Sequence, residues 1–184
     1  MINEKKIHYW INGSALLIVC IILLIAFYKQ LLNHELPCPL CLLQRLCFVG
    51  VGLCLCMNLT KGIKVSHYGL MLLASILGLT IALRQVFLHV SPGDLGYGSP
   101  LLGLYLYTWS AIGFGIIIGL IAVTLLIEDG FNRKKDILPG RFLYLLMSFF
   151  LILILANGIS TFMECGPYIC KDNPVHYYLL DTIG

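Results

Sequence analysis

Charged side chains are scarce in this sequence. Only 11% of its 184 residues are Asp, Glu, Lys or Arg, whereas 59% are hydrophobic, and the mean hydropathy is +0.92. Soluble globular domains carry roughly 25% charged residues, so the composition excludes a water-soluble domain. The sequence also lacks the segments of about ten residues with alternating polarity that build a transmembrane β-barrel. What remains is a helical integral membrane protein.

Five apolar segments are long enough to cross a bilayer. They cover residues 10–28, 41–59, 68–90, 105–127 and 142–160, and a helix needs about 20 residues to span a hydrocarbon core about 30 Å thick. Because lipid offers no hydrogen-bond partners to the backbone, such segments should be helical. The sequence therefore predicts one all-α, polytopic membrane domain over residues 1–184, a bundle of five helices followed by a tail at residues 161–184.

No small-x-small cleavage site follows the first apolar segment, so we interpret this segment as an uncleaved span and not as a signal sequence. Basic residues then predict the orientation, because they concentrate in cytoplasmic loops. With the amino terminus inside, eight basic residues lie on the cytoplasmic side and two on the outer side: Lys5, Lys6, Lys61, Lys64, Arg133, Lys134, Lys135 and Arg141 against Lys29 and Lys171. The carboxy terminus is therefore expected outside.

The basic run from Arg133 to Lys135 fits this topology as an orientation signal that contacts lipid headgroups. We do not interpret it as a nucleic-acid-binding patch.

The eight cysteines fall into two groups in this topology. Four lie within spans, where a cysteine usually serves as a small apolar packing residue: Cys20, Cys47, Cys54 and Cys56. The other four, Cys38, Cys41, Cys165 and Cys170, lie at or beyond the outer membrane surface. Three interpretations of this outer group stay open: structural disulfides, a zinc site of four thiolates, and a redox-active CxxC pair with a second pair.

The surroundings of Cys41 favour redox chemistry. In a helix that starts near Cys41, Gln44 and Arg45 follow at i+3 and i+4, on the same face as the sulfur. A positive charge and a helix amino terminus both stabilise a thiolate. An arginine at the end of a span is costly unless it is paired or functional, and a purely structural disulfide does not require one.

The segment from Pro37 to Arg45, with the sequence PCPLCLLQR, resembles the signature of the DsbB family of membrane thiol:quinone oxidoreductases. Residues 83–85 and 91–105 are similar to the second outer loop of a subgroup of these proteins. The resemblance implies a helical bundle in the bacterial inner membrane that reoxidises a periplasmic thioredoxin-fold partner, DsbA, and passes the electrons to a quinone, either ubiquinone or menaquinone.

The sequence departs from the family pattern in one respect. The best-known members carry their second cysteine pair between the third and fourth spans, where this chain has no cysteine. It has instead a fifth span and a tail with Cys165 and Cys170, which the charge-based topology places on the same side as Cys38. The match of this pair to the family is therefore one of topology and not of motif.

The resemblance assigns the expected site residues. It implies that Cys41 faces the quinone and that Cys38 exchanges with the second pair, while Arg45 corresponds to a quinone-site arginine. We add Gln44 and Arg84 as candidate quinone-binding residues, and we expect no metal. Which of the two tail cysteines reacts with the partner stays open.

Two other functional classes fit parts of the pattern. A vitamin-K-epoxide-reductase-like enzyme also combines four or five helices, a CxxC and a quinone, although its CxxC usually lies late in the chain. A transporter or assembly factor with disulfides that only hold its outer loops is the non-enzymatic alternative.

Overall fold

The computed structural model describes residues 2–33, 35–94, 96–127, 140–167, 170 and 177–179, with the side chains of residues 2–8 left aside. This part of the chain forms five α-helices: α1 Ile2–Leu32, α2 Pro39–Lys61, α3 Val65–Leu88, α4 Leu106–Ile127 and α5 Arg141–Cys165. All five are long and apolar enough to cross a membrane. The predicted all-α membrane bundle is confirmed. The orientation of its termini stays a prediction, and Lys171 and the basic run Arg133–Lys135 lie outside the described residues.

Most of the helices extend beyond the predicted spans. The second begins at Pro39 and not at Cys41, because Pro39 suits the first turn of a helix and the residue before it, Cys38, caps the end. The fifth continues past Ser160 to Cys165 and stops at Gly166, whose φ of 62° is accessible to glycine and whose N–H donates to Phe162 O. Cys165 is thus the last helical residue and not part of a free tail.

In the core of the bundle, phenylalanine rings pack against each other and against glycines of neighbouring helices. Phe48 of α2 stacks on Phe114 of α4 with 4.0 Å between ring centroids. Phe150 of α5 lies against Gly52, and Phe114 also lies against Gly78, so closely that a Cβ on either glycine would overlap the ring. Small residues of this kind let transmembrane helices approach each other. The outward faces remain apolar, which suits lipid as the surrounding solvent.

The helices pack in the spatial order α5, α1, α2, α3, α4, and α2 contacts each of the other four. At the end of the bundle opposite Cys38, a buried polar cluster joins three helices. Asn58 Nδ2 of α2 donates to Asn12 Oδ1 of α1 over 3.0 Å, and His67 Nδ1 of α3 lies 2.8 Å from Asn58 Oδ1. This cluster fixes α1, α2 and α3 at one end and leaves the other end to the outer cysteines.

Candidate functional site

The CxxC pair forms the amino-terminal cap of α2. Cys38 adopts an extended backbone (φ −68°, ψ 161°), and its sulfur accepts a hydrogen bond from the N–H of Cys41 over 3.3 Å. The two sulfurs lie 2.9 Å apart. Unpaired N–H groups at a helix start favour negative charge, so the cap position itself supports thiolate chemistry.

The two sulfurs differ in their environment. Cys38 is buried, and its thiol donates a hydrogen bond to the sulfur of Cys41. This hydrogen bond and burial together raise the pKa of the Cys38 thiol above its ordinary value. In the hydrogen bond between the two sulfurs, Cys38 is therefore the one that holds the proton and Cys41 the one that accepts it.

Gln85 of α3 is the side chain that holds the pair in place. Its Nε2 lies 3.2 Å from the Cys38 sulfur and 3.3 Å from the Cys41 sulfur, and its Oε1 accepts from Gln44 Nε2 over 2.8 Å. Both glutamines are almost fully buried. Gln85 was not among the predicted site residues, whereas the predicted Gln44 supports the pair through it.

Replacing Gln85 with leucine should slow the alkylation of the reduced Cys38–Cys41 pair. Leucine has a similar size but donates no hydrogen bond. A thiolate that loses a hydrogen-bond donor is less stable, so a smaller fraction of the CxxC thiol is ionised. A rise of one pKa unit lowers the thiolate fraction about tenfold. We expect iodoacetamide to react about tenfold more slowly near neutral pH. Ser75→Ala is the matched control, because Ser75 lies on the same buried face and bonds only to Met71 O of its own helix. An equal slowing in both variants would contradict this role for Gln85.

Arg45 points toward α1 and α5. Its Nη1 donates to Gln30 Oε1 over 2.7 Å and reaches Asn157 Oδ1 at 3.4 Å, and its Nη2 donates to Ala26 O over 3.0 Å. The guanidinium therefore bonds three neutral acceptors, and it carries the permanent positive charge of an arginine one helical turn after Cys41. Arg45 is thus paired inside the bundle, with residues that the sequence did not single out. Its contact with quinone stays a prediction.

A polar network continues from Arg45 into α5. Gln30, bound by Arg45 at its oxygen, directs its Nε2 toward Ser160 Oγ at 2.7 Å and Glu164 Oε2 at 3.4 Å. The hydroxyl of Tyr177 lies 3.3 Å from the same nitrogen. The network thus runs from the helix that carries the CxxC to the end of the helix that carries Cys165.

The second cysteine pair is a disulfide at the end of α5. Cys165 and Cys170 are bonded, with their Cα atoms 4.6 Å apart. Cys170 lines a mainly apolar cavity of about 510 Å³ together with Pro39, Leu42 and Arg45 of α2. The tail pair therefore lies at the same end of the bundle as the CxxC. The disulfide also takes two of the four thiolates that the zinc interpretation requires.

A smaller cavity of about 70 Å³ lies on the other side of Arg45. Cys41, Gln44 and Arg45 line it, as their helical spacing predicts, and the two outer loops cover it with Glu35 and Tyr97. Arg45 thus lies between a small cavity beside the CxxC and a large one beside Cys170.

Contacts between the α1–α2 loop and the α3–α4 loop close this smaller cavity. The Tyr97 hydroxyl donates to Leu36 O over 2.6 Å, the N–H of Ser99 donates to Glu35 Oε2 over 3.2 Å, and Lys29 Nζ bonds Ser99 Oγ. Burial opposes ionisation of Glu35, but the hydrogen bonds from Ser99 and the Lys29 charge outweigh it and lower the pKa of its carboxyl. Burial raises the pKa of Tyr97, so Tyr97 remains a neutral donor.

Arg84, the third predicted quinone-binding residue, is exposed on α3, one position before the buried Gln85. Its assignment stays a prediction. The periodicity of α3 is a signal that points to Gln85 and not to Arg84. Residues on the buried face of α3 recur every three or four positions, and Arg84 does not fit this spacing. They are His67, Met71, Ser75, Gly78, Ala82 and Gln85.

Part of this chain matches a known protein family. The family described as disulfide bond formation protein DsbB matches residues 9–97, which include the CxxC, Arg45 and Gln85. Over these residues the chain is similar to the DsbB family. The matched region ends before α4, so Cys165 and Cys170 lie outside the match.

The relatives that this chain matches carry the name disulfide bond formation protein B. The protein of Marinobacter nauticus is 38% identical over 89 residues, covering 46% of this chain and 53% of the relative. That of Stutzerimonas stutzeri is 37% identical and covers 45% and 50%, so the chain spans about half the length of these relatives. The Burkholderia pseudomallei protein is 27% identical and covers 62% and 88%. No solved structure matches.

Proposed function

We propose that this chain is a protein-dithiol:quinone oxidoreductase of the bacterial inner membrane. It takes two electrons from a reduced periplasmic thioredoxin-fold protein of the DsbA type and passes them through Cys165–Cys170 and Cys38–Cys41 to a quinone, which sustains disulfide formation outside the cytoplasm. The observation that carries the proposal is the shared cavity of Cys170, Pro39 and Arg45. It puts a second redox-capable pair at the end of the bundle where the CxxC lies.

The exchange steps follow from thiol chemistry. A thiolate of the partner attacks the tail disulfide and leaves the partner oxidised and the tail with two thiols. One tail sulfur then attacks Cys38, forms a bridge to it, and releases Cys41 as thiolate. The second tail thiol resolves that bridge, which regenerates the tail disulfide and leaves the electron pair on the CxxC.

The residues around Cys41 suit a quinone headgroup. A quinone supplies a two-electron acceptor whose two oxygens become hydroxyl groups. Arg45 and Gln44 offer N–H donors beside Cys41, and the leucine-rich walls between α2 and α5 offer apolar surface for a ring and its chain. Arg45 would stabilise negative charge on the Cys41 sulfur and on the acceptor oxygen. Gln85 would keep the CxxC sulfurs oriented toward each other.

The family match favours this function over the vitamin-K-epoxide-reductase-like alternative, because it covers the CxxC and the helix that follows. The buried network of Arg45 favours it over a protein whose disulfides only hold loops, since such a protein has no need of a buried charge beside a cysteine.

A coupled assay tests the proposal. Purified protein is mixed with a reduced thioredoxin-fold oxidase and either ubiquinone or menaquinone, and the quinone absorbance is followed. We expect many turnovers per protein molecule, with quinone consumption that requires the dithiol partner. Protein whose cysteines have been blocked with N-ethylmaleimide after reduction is the control. Absence of turnover with both quinones would leave the structural-disulfide interpretation.

A further inference from the structure

Glu164 is a buried carboxyl group that the exchange steps above do not use. It lies in the last turn of α5 and is only 4% exposed. Its Oε2 accepts a long hydrogen bond of 3.4 Å from Gln30, and its Oε1 is buried with no hydrogen-bond partner among the residues that the structure describes. A buried carboxyl oxygen without a partner is costly and rare, and an ionisable residue at the end of a span suggests a function.

The surroundings of Glu164 connect the two cysteine pairs. Within the described part of the chain, the charged and titratable groups around it are the Arg45 guanidinium of α2, the Cys38 sulfur before α2, the Tyr97 hydroxyl of the α3–α4 loop and the Tyr177 hydroxyl of the tail. From α1 the facing group is the amide of Gln30, which bonds both Arg45 and the carboxyl. Glu164 thus directly precedes Cys165 of the tail disulfide in the chain and lies within electrostatic range of the Cys38 sulfur.

The two tail sulfurs differ in their access to solvent. Cys165, the neighbour of Glu164 in the chain, is buried with 8% exposure, whereas Cys170 is partly exposed and lines the large cavity. An incoming thiolate therefore reaches Cys170, and Cys165 is the sulfur that leaves.

We propose that Glu164 donates a proton to Cys165 and takes it back during the exchange between the two cysteine pairs. This inference rests on the relay proposed above. When a thiolate attacks Cys170, a new disulfide forms at Cys170, the Cys165–Cys170 bond breaks, and Cys165 leaves with the electron pair. Protonated Glu164 transfers its proton to that sulfur and becomes a carboxylate.

The second step reverses the proton transfer. The Glu164 carboxylate takes the proton of the Cys165 thiol, and the Cys165 thiolate attacks Cys38. A Cys165–Cys38 bond forms, the Cys38–Cys41 bond breaks, and Cys41 leaves as thiolate. Cys165 is oxidised and Cys41 is reduced, while the proton stays on Glu164 for the next cycle. Arg45 holds the carboxylate form through Gln30 in the interval.

The test isolates the opening of the tail disulfide. In a full-length Cys38→Ser/Cys41→Ser background, reduced glutathione opens the Cys165–Cys170 bond, and the rate is divided by the concentration of glutathione thiolate at each pH. Neither quinone nor a thioredoxin-fold partner takes part. A failure of the proposed function in the coupled assay is therefore distinguishable from a failure of this inference.

With Glu164 present, we expect the normalised rate to fall as pH rises and the carboxyl loses its proton. Glu164→Gln should give a profile that is flat and at least about tenfold below the acid limit, because amide side chains do not donate the proton. Glu164→Asp should retain a falling profile and also serves if the Gln variant does not fold. Asp94→Asn, an exposed loop carboxylate bonded to His89 and Gly96, should leave the profile unchanged.

Three results would overturn the inference. A flat profile at the high acid-limit rate in Glu164→Gln means that the carboxylate only repels the incoming thiolate. A flat profile in Glu164→Asp removes the proton-transfer role as well. Mass spectrometry should find the glutathione adduct on Cys170, and an adduct on Cys165 would make Cys170 the leaving sulfur.

Discussion

Replacing Cys41 with serine should abolish quinone-linked dithiol oxidation, with turnover lowered by at least about a thousandfold. A serine hydroxyl does not ionise near neutral pH and cannot form the disulfide with Cys38, so the electron pair has no route to the acceptor. The coupled assay described above measures this loss directly. The substitution removes one half-buried sulfur atom, so the bundle should still assemble.

Cys47→Ala is the matched control for this variant. Cys47 is a buried free cysteine on the same helix, in the packed core and away from the outer end. We expect it to keep turnover within about threefold of the wild type, because only a small core cavity is created. Comparable losses in both variants would show that α2 tolerates no cysteine replacement and would remove the special role of Cys41.

The Cys41→Ser variant also shows which tail cysteine exchanges with Cys38. With Cys41 absent, Cys38 is a free thiol, and its thiolate attacks the Cys165–Cys170 disulfide: a Cys38–Cys165 bond forms, the Cys165–Cys170 bond breaks, and Cys170 leaves as thiolate. Non-reducing peptide mapping of the oxidised variant, without a reduced partner, should therefore detect Cys38 linked to Cys165. If no bond between Cys38 and a tail cysteine is detected, the two cysteine pairs do not exchange electrons with each other.

Arg45→Met should be the second most damaging substitution, with turnover reduced about a hundredfold or more because a charge at the reacting sulfur is lost. Stability should fall too, since Gln30, Asn157 and the carbonyl of Ala26 lose their donor, and an unsatisfied buried acceptor costs about 1–3 kcal/mol. Thermal unfolding in detergent and turnover, measured on the same samples, compare the two losses. Loss of stability with normal turnover in the folded fraction would make Arg45 purely structural.

Arg45→Lys separates charge from geometry. Lysine keeps the positive charge but replaces the planar fork with a single ammonium group, so turnover should recover partly while the stability loss remains. Arg84→Met tests the other predicted arginine. Because Arg84 is exposed, a large rise in the quinone KM would support its predicted contact with quinone, and an unchanged KM would remove it from the site.

Most of the fold was predictable from composition and hydropathy, because a lipid-spanning helix needs a long apolar run and little else. The ends of the helices were not. Hydropathy measures the lipid-spanning length and is insensitive to the turns that polar groups hold at the interface. Glu164 and Cys165 lie in such a turn, which Gln30 anchors inside the bundle, and the predicted span stopped before them.

The sequence predicts the site residues whose relative positions follow from spacing along one helix. It does not predict those that depend on the rotation of another helix or on contacts between distant helices. Cys38, Cys41, Gln44 and Arg45 belong to one short motif, so their relative positions follow from helix geometry. Gln85 comes from another helix, and its choice over Arg84 depends on which way α3 is rotated. The partners of Arg45 depend on how α1 and α5 dock, which a single sequence does not specify.

The position of α5 also sets an order on biogenesis. This helix leaves the ribosome after α1 and α2, yet it supplies Asn157, Ser160 and Glu164 to a network whose partners lie on those two helices. During synthesis α1 and α2 insert before these partners of Arg45 and Gln30 exist. The CxxC therefore acquires both its finished polar surroundings and its proposed electron donor in one event, when α5 docks.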